Sequence, residues 1–107
     1  MSALYAMRYP GGGATAIYIG KGTIVGIGTK NGRYNGTYSE EGGRLKVNMT
    51  LSVPSAGAVV SGQSVPAGGT VQITADWPAN FADGQPHQII FQGRPIQVTF
   101  EKIGDIP

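Results

Sequence analysis

The sequence predicts an all-β fold: about eight short antiparallel strands running up and down and closing into a barrel. Three observations predict it. Apolar and polar residues alternate with a period of two along several segments. The chain has 18 glycines, spread at short intervals between β-branched runs, which is where turns belong in a many-stranded protein. No long stretch carries a capped helical stripe. The length of 107 residues fits one domain, 1–107, with enough apolar content (40%) and few enough charges (13%) to fold around a single core.

The first strands, Ala3 to Tyr9, Ala14 to Gly20, Thr23 to Gly28 and Arg33 to Tyr38, are short or rather apolar. Pro10-Gly11-Gly12-Gly13, Gly20-Lys21-Gly22 and Asn31-Gly32 separate them and supply the positive φ values of tight turns. After Glu41-Gly42-Gly43 comes the most regular element, with Leu45, Val47, Met49, Leu51 and Val53 alternating with Lys46, Asn48, Thr50 and Ser52. A strand puts the first set on one face and the second on the other, whereas a helix would scatter both. Val71, Ile73, Ala75 and Trp77 repeat the pattern, as do Ile96, Val98 and Phe100 in the closing strand that ends near Lys102. Between these two lies His87 to Gln92, set off by Gly84-Gln85-Pro86 and Gly93-Arg94-Pro95, and Trp77 to Asp83 is compatible with a single turn of helix. The Ser-, Ala-, Gly- and Pro-rich segment Pro54 to Gly69 joins two halves of about four strands each and is expected to cross over one mouth of the barrel, with a mobile functional loop as the alternative.

Barrel closure follows from the edges. An open meander leaves two rows of unpaired backbone groups, and closing it removes both. A barrel of about eight strands has an interior that side chains can fill or that can hold one small ligand. Tyr34, Tyr38, Met49, Leu51 and Trp77 are the candidate lining.

The residues point away from catalysis. With no cysteine, thiol nucleophiles, disulfides and Cys-based zinc sites are excluded, and the lone His87 at a strand start reads as a surface or turn residue. Asp76, Asp83, Glu101 and Asp105 have no metal-binding spacing, and Gly20-Lys21-Gly22 lacks the Ser or Thr and the upstream glycine of a phosphate loop. No enzyme activity, metal or cofactor is therefore expected. The net charge of +2 comes from dispersed residues, which argues against nucleic acid as partner. No run approaches the ~20 apolar residues of a membrane helix, and Met1 to Arg8 has no signal-peptide pattern, so a cytoplasmic protein without membrane contact is expected.

Tyr5, Tyr9, Tyr34 and Tyr38 are the strongest candidates for a recognition surface, since rings interleaved with cations such as Arg33 and Lys46 can stack nucleobases. The structural alternative, which is preferred, has them filling the wider end of the barrel with hydroxyls reaching solvent.

The segment Tyr34-Asn35-Gly36-Thr37-Tyr38, followed by Glu40-Glu41-Gly42-Gly43-Arg44-Leu45-Lys46-Val47, resembles the GrlR-like family, small bacterial negative regulators of type III secretion. Leu4-Tyr5 in the first strand and the closing strand Ile96 to Lys102 are similar to theirs as well. The resemblance implies a lipocalin-like barrel, a homodimer, and repression by contact with a transcriptional regulator. Glu40 and Glu41 are the candidate partner-binding residues, standing where the founding regulator carries a longer acidic cluster. The chain departs from the family in having Gly26-Ile27-Gly28-Thr29 after the third strand. Dimerisation is also expected from an apolar rim left by short strands. The sequence thus gives a regulatory or adaptor barrel, with a carrier of a small apolar molecule as the alternative and a single-stranded nucleic-acid binder as a weaker one.

Overall fold

The computed structural model describes residues 2–9, 13–28, 32–53, 58–60, 63–65 and 68–107. Eight strands close a barrel: β1 (Ser2–Arg8), β2 (Ala14–Gly20), β3 (Thr23–Ile27), β4 (Arg33–Glu41), β5 (Arg44–Ser52), β8 (Thr70–Pro78), β9 (His87–Phe91) and β10 (Arg94–Asp105). β6 (Ala58–Val60) and β7 (Gln63–Val65) pair with each other as a separate ribbon. Around the wall the order is β1-β10-β9-β8-β5-β4-β3-β2, every neighbour antiparallel, so the topology is up and down as expected.

Three hairpins set the register. Lys21-Gly22 has φ values of 53° and 77°, Gly42-Gly43 has 58° and 79°, and Gln92-Gly93 has 51° and 76°. Two consecutive positive φ values define the turn whose twist matches that of paired strands. Gly36 has a different role, because a Cβ there would lie 2.5 Å from the Met49 Cα on β5. Only glycine lets β4 and β5 approach so closely, which bends the wall inward.

The alternation read from sequence is the inside and outside of the barrel. Leu45, Val47, Met49, Leu51 and Val53 are all buried, while Lys46 and Asn48 are exposed. Both termini, the β2–β3 and β4–β5 turns and the β8–β9 loop lie at one end, here the lower end; the remaining connections leave from the upper end.

Four expectations change. The segment Pro54 to Gly69 contains the β6–β7 ribbon, hidden in sequence by its small and polar residues, while its crossing of the barrel mouth lies outside the described residues. Trp77 to Asp83 is no helical turn: β8 runs on to Pro78, and the loop after it folds back onto the core. Glu40 and Glu41 belong to β4, with the turn confined to Gly42-Gly43. The closing strand is longer than Ile96 to Lys102 and carries a bulge, since Leu4 faces Gly104 but Tyr5 faces Lys102, which leaves Ile103 as the extra residue.

Candidate functional site

The interior comes first. Met49, Leu51, Val71 and Ile73 are buried at mid-wall. Towards the lower end, the Trp77 ring lies 4.7 Å from that of Phe100 and 5.3 Å from that of Phe81, and Phe81 stands 4.9 Å from Tyr5. Phe81 comes from the 79–86 loop and is 1% exposed, so the loop inserts a plug into the lower end of the barrel. The loop is anchored on both sides. Ala79 N–H donates to the Gly43 carbonyl at 2.9 Å, and an Asp83 carboxylate oxygen accepts from Gln85 N–H at 3.0 Å and lies 2.9 Å from His87 Nε2. The Gln85 N–H and His87 hold the Asp83 carboxyl below its ordinary range. The Trp77 indole N–H donates to the Gln88 carbonyl at 3.1 Å, and that is where β8 and β9 part after only three paired positions. A groove of about 310 Å³ opens there on the outer wall, lined by Thr74, Ala75, Asp76, Gln88 and Ile90.

The upper end is closed differently. The Tyr9 and Tyr34 hydroxyls are hydrogen-bonded at 2.8 Å and both residues are buried. Thr15 on β2, the only buried polar residue among those described, lies close enough to hold the Tyr34 phenol's ionisation down a little. Burial pushes the ionisation of both phenols up; contact with Tyr34 adds to the rise at Tyr9, whereas the contact with Tyr9 works against it at Tyr34.

These positions correct the reading of the tyrosines. Tyr5 sits near the lower end and Tyr9 and Tyr34 at the upper, so they do not share one wide end, and the Tyr9 and Tyr34 hydroxyls meet each other instead of solvent. A stacking platform needs exposed ring faces, and three of the four rings are buried; Tyr38 is half-buried on the inner face. All five interior candidates, Tyr34, Tyr38, Met49, Leu51 and Trp77, face inward, but they pack against the barrel's own side chains.

Glu40 and Glu41 are exposed at the lower rim, and among the described residues neither forms an ion pair. Arg44, opposite Glu41, is occupied elsewhere: its Nε is 2.6 Å from Asp76, which Lys46 Nζ also reaches at 2.5 Å. These two cations hold the Asp76 carboxyl below its ordinary range. With Asn48, Gln72 and Thr50, this network makes the β5–β8 wall polar on its outer face.

The β1–β3 wall is the opposite. Outward residues Leu4, Ala6, Ala16, Tyr18, Val25 and Ile27 form one continuous apolar area, with Val25 40% and Ile27 52% exposed. Sequence reasoning marked these strands as rather apolar but placed the sticky surface at a rim. The β1–β2 and β2–β3 registers, which alternation alone does not specify, bring the six residues together. Among the described residues no cluster of three potential metal ligands occurs, and no helix is long and apolar enough to cross a membrane.

Comparison with family models, with curated proteins and with solved structures finds no match to this chain.

Proposed function

We propose that this chain is a non-enzymatic barrel that acts by protein contact through its outer surface, a cytoplasmic regulatory or adaptor module of the kind its resemblance to the small negative regulators of type III secretion implies. The observation that carries the reading is the filled lower end of the barrel, where Phe81, Trp77, Phe100 and Tyr5 pack ring against ring. A carrier of an apolar molecule needs that space empty. Recognition is left to the outer wall and the rims, where Glu40 and Glu41 offer two carboxylates to a basic partner such as a transcriptional regulator.

The test uses Trp77 as an internal reporter. Titration with apolar probes, a fatty acid and anilinonaphthalene sulfonate, is expected to leave its emission unchanged. A saturable one-to-one response would transfer the function to the carrier reading. For the rim, capture of proteins from the native cell extract by wild type and by Glu40→Lys/Glu41→Lys is expected to differ by loss of a basic partner. An unchanged set removes the acidic pair from the contact surface.

A further inference from the structure

The barrel is amphipathic across its diameter. Among the described residues four large apolar side chains are exposed by at least 40%, Val25, Ile27, Ile103 and Ile106, and none of them lies on β4, β5, β8 or β9. Val25 and Ile27 are on β3, Ile103 is the extra residue at the β10 bulge beside Leu4, and Ile106 is tied to β1 by its N–H bond to the Ser2 carbonyl at 2.8 Å. With Leu4 and Tyr18 they make one half of the wall apolar, while the opposite half carries the Arg44, Lys46 and Asp76 network. We propose that the apolar half lies on an anionic lipid surface, with the strands running flat along it. This goes beyond the protein-contact reading and does not depend on it.

Shape and charge select lipid. The wall of a closed barrel is convex and offers no groove for a helix or a peptide strand, whereas a deformable surface can cover it. Tyr18 adds no knob to this wall. Its hydroxyl lies over Gly20, where a Cβ would come within 2.5 Å of it, and is bonded to Ser2 Oγ at 2.8 Å. The ring thus presents an apolar body with a polar tip, the form suited to a boundary between lipid and water. The outward residues of β1, β2 and β3 include no carboxylate. Cations stand at the corners instead: Arg8 ends β1 at the upper end, Arg33 pairs with Ile27 from β4, and Lys21 occupies the β2–β3 turn at the lower end. Glu101 engages Arg8 at 3.7 Å, while Arg33 and Lys21 form no ion pair among the described residues and are free to meet headgroup phosphates. Asp76 and Asp83 belong to β8 and the 79–86 loop, away from this face. Apolar contact and charge each bind lipid weakly alone, and together they give a reversible, salt-sensitive attachment. A wall that lies on a bilayer needs no spanning helix, so the expectation of no membrane contact, which rested on that helix, does not extend to it.

Vesicles of equal parts phosphatidylglycerol and phosphatidylcholine are expected to pellet the full chain, while vesicles of phosphatidylcholine alone leave it in solution. Salt at about 1 M, which screens charges beyond about 3 Å, is expected to release it. Val25→Thr/Ile27→Thr keeps β-branched side chains at two exposed positions, removes apolar surface and is expected to weaken binding about tenfold. Arg33→Gln and Lys46→Gln have the same net charge, but only Arg33→Gln alters the docking wall, and it alone is expected to weaken binding, by about fivefold. Circular dichroism checks that each variant is folded. Equal losses from Arg33→Gln and Lys46→Gln would reduce the effect to net charge and overturn the proposal. A chain that stays in solution with anionic vesicles, or binding that Val25→Thr/Ile27→Thr leaves unchanged, overturns it as well. So does a dimer in sedimentation that Val25→Thr/Ile27→Thr dissociates, because the wall is then covered by a second copy.

Discussion

The hydroxyls of Tyr9, just past the end of β1, and Tyr34, on β4, lie 2.8 Å apart in the upper core of the barrel, although β1 and β4 never pair. Neither phenol has water to return to. Removing one partner leaves the other hydroxyl buried and short of a bond, at a cost of about 1–3 kcal/mol, whereas removing both replaces a polar pair with an apolar one. Tyr9→Phe is therefore expected to be more harmful than its lost atom suggests, and Tyr9→Phe/Tyr34→Phe less harmful than the sum of the singles. Urea unfolding of the three variants gives the cycle, and simple additivity would show that the two hydroxyls are not coupled.

The same pair fixes the response to alkali. Burial raises both phenols above their ordinary value of about 10. The folded chain keeps these protons where the unfolded chain releases them, so the unfolded state binds fewer protons and stability falls as pH rises. The contribution is complete below pH of about 10 and is lost as pH climbs from there through the folded values. Urea midpoints are expected to drop between about pH 10 and pH 12, with part of the phenolate absorbance appearing only on unfolding. Ionisation of every tyrosine in a chain that retains its native circular dichroism would contradict this.

Much of the fold is legible because β structure writes burial directly into alternation. Leu45 to Val53 is the clearest case, since five inward side chains and their polar partners define the wall without any tertiary information. What depends on register is not legible in this way. Alternation alone does not say that Ala6, Ala16 and Ile27 share a row, which the β1–β2 and β2–β3 registers decide, and it gives no hint that Tyr5, on β1, and Tyr9, just past its end, serve opposite ends. Phe81 is harder still. It sits in a loop with Asn80, Asp83, Gly84 and Pro86, where no periodicity exists, and the only available signal was one large aromatic in an otherwise polar connection.

Two hairpins carry avoidable strain. Lys21 and Gln92 hold φ values of 53° and 51° in turns that favour asparagine or glycine, and both are exposed, so nothing else constrains their side chains. A left-handed conformation costs an ordinary L-residue about 1–2 kcal/mol, a cost that asparagine lowers. Lys21→Asn and Gln92→Asn are each expected to stabilise the barrel by about 0.5 kcal/mol, and Lys21→Val to destabilise it by about 1 kcal/mol or more. Denaturant midpoints measure both. A loss of stability on Lys21→Asn would mean that the lysine ammonium is held by a partner.

The plug at the lower end gives the sharpest test of how the interior is filled. Phe81 touches three aromatic rings at centroid distances of 4.9 to 5.3 Å, although the loop that carries it has no regular structure between Ala79 and Pro86. The loop holds its shape through the Ala79–Gly43 hydrogen bond and the Asp83 carboxylate, so it does not collapse when the ring is removed. Phe81→Ala is thus expected to leave a cavity and to cost about 3–4 kcal/mol, the range for a buried phenylalanine whose surroundings relax little. Trp77 loses one of its two aromatic contacts, and its emission shifts to longer wavelength as water gains access. A cavity lined by Trp77, Phe100 and Tyr5 is apolar, so benzene or indole binds in it and recovers part of the lost stability by mass action, with a thermal midpoint that rises with ligand concentration. Wild type shows no such rise, because the space is already taken. A Phe81→Ala variant that matches wild type in stability and in Trp77 emission would mean that the ring lies outside the barrel in solution, and the carrier reading would then regain its cavity.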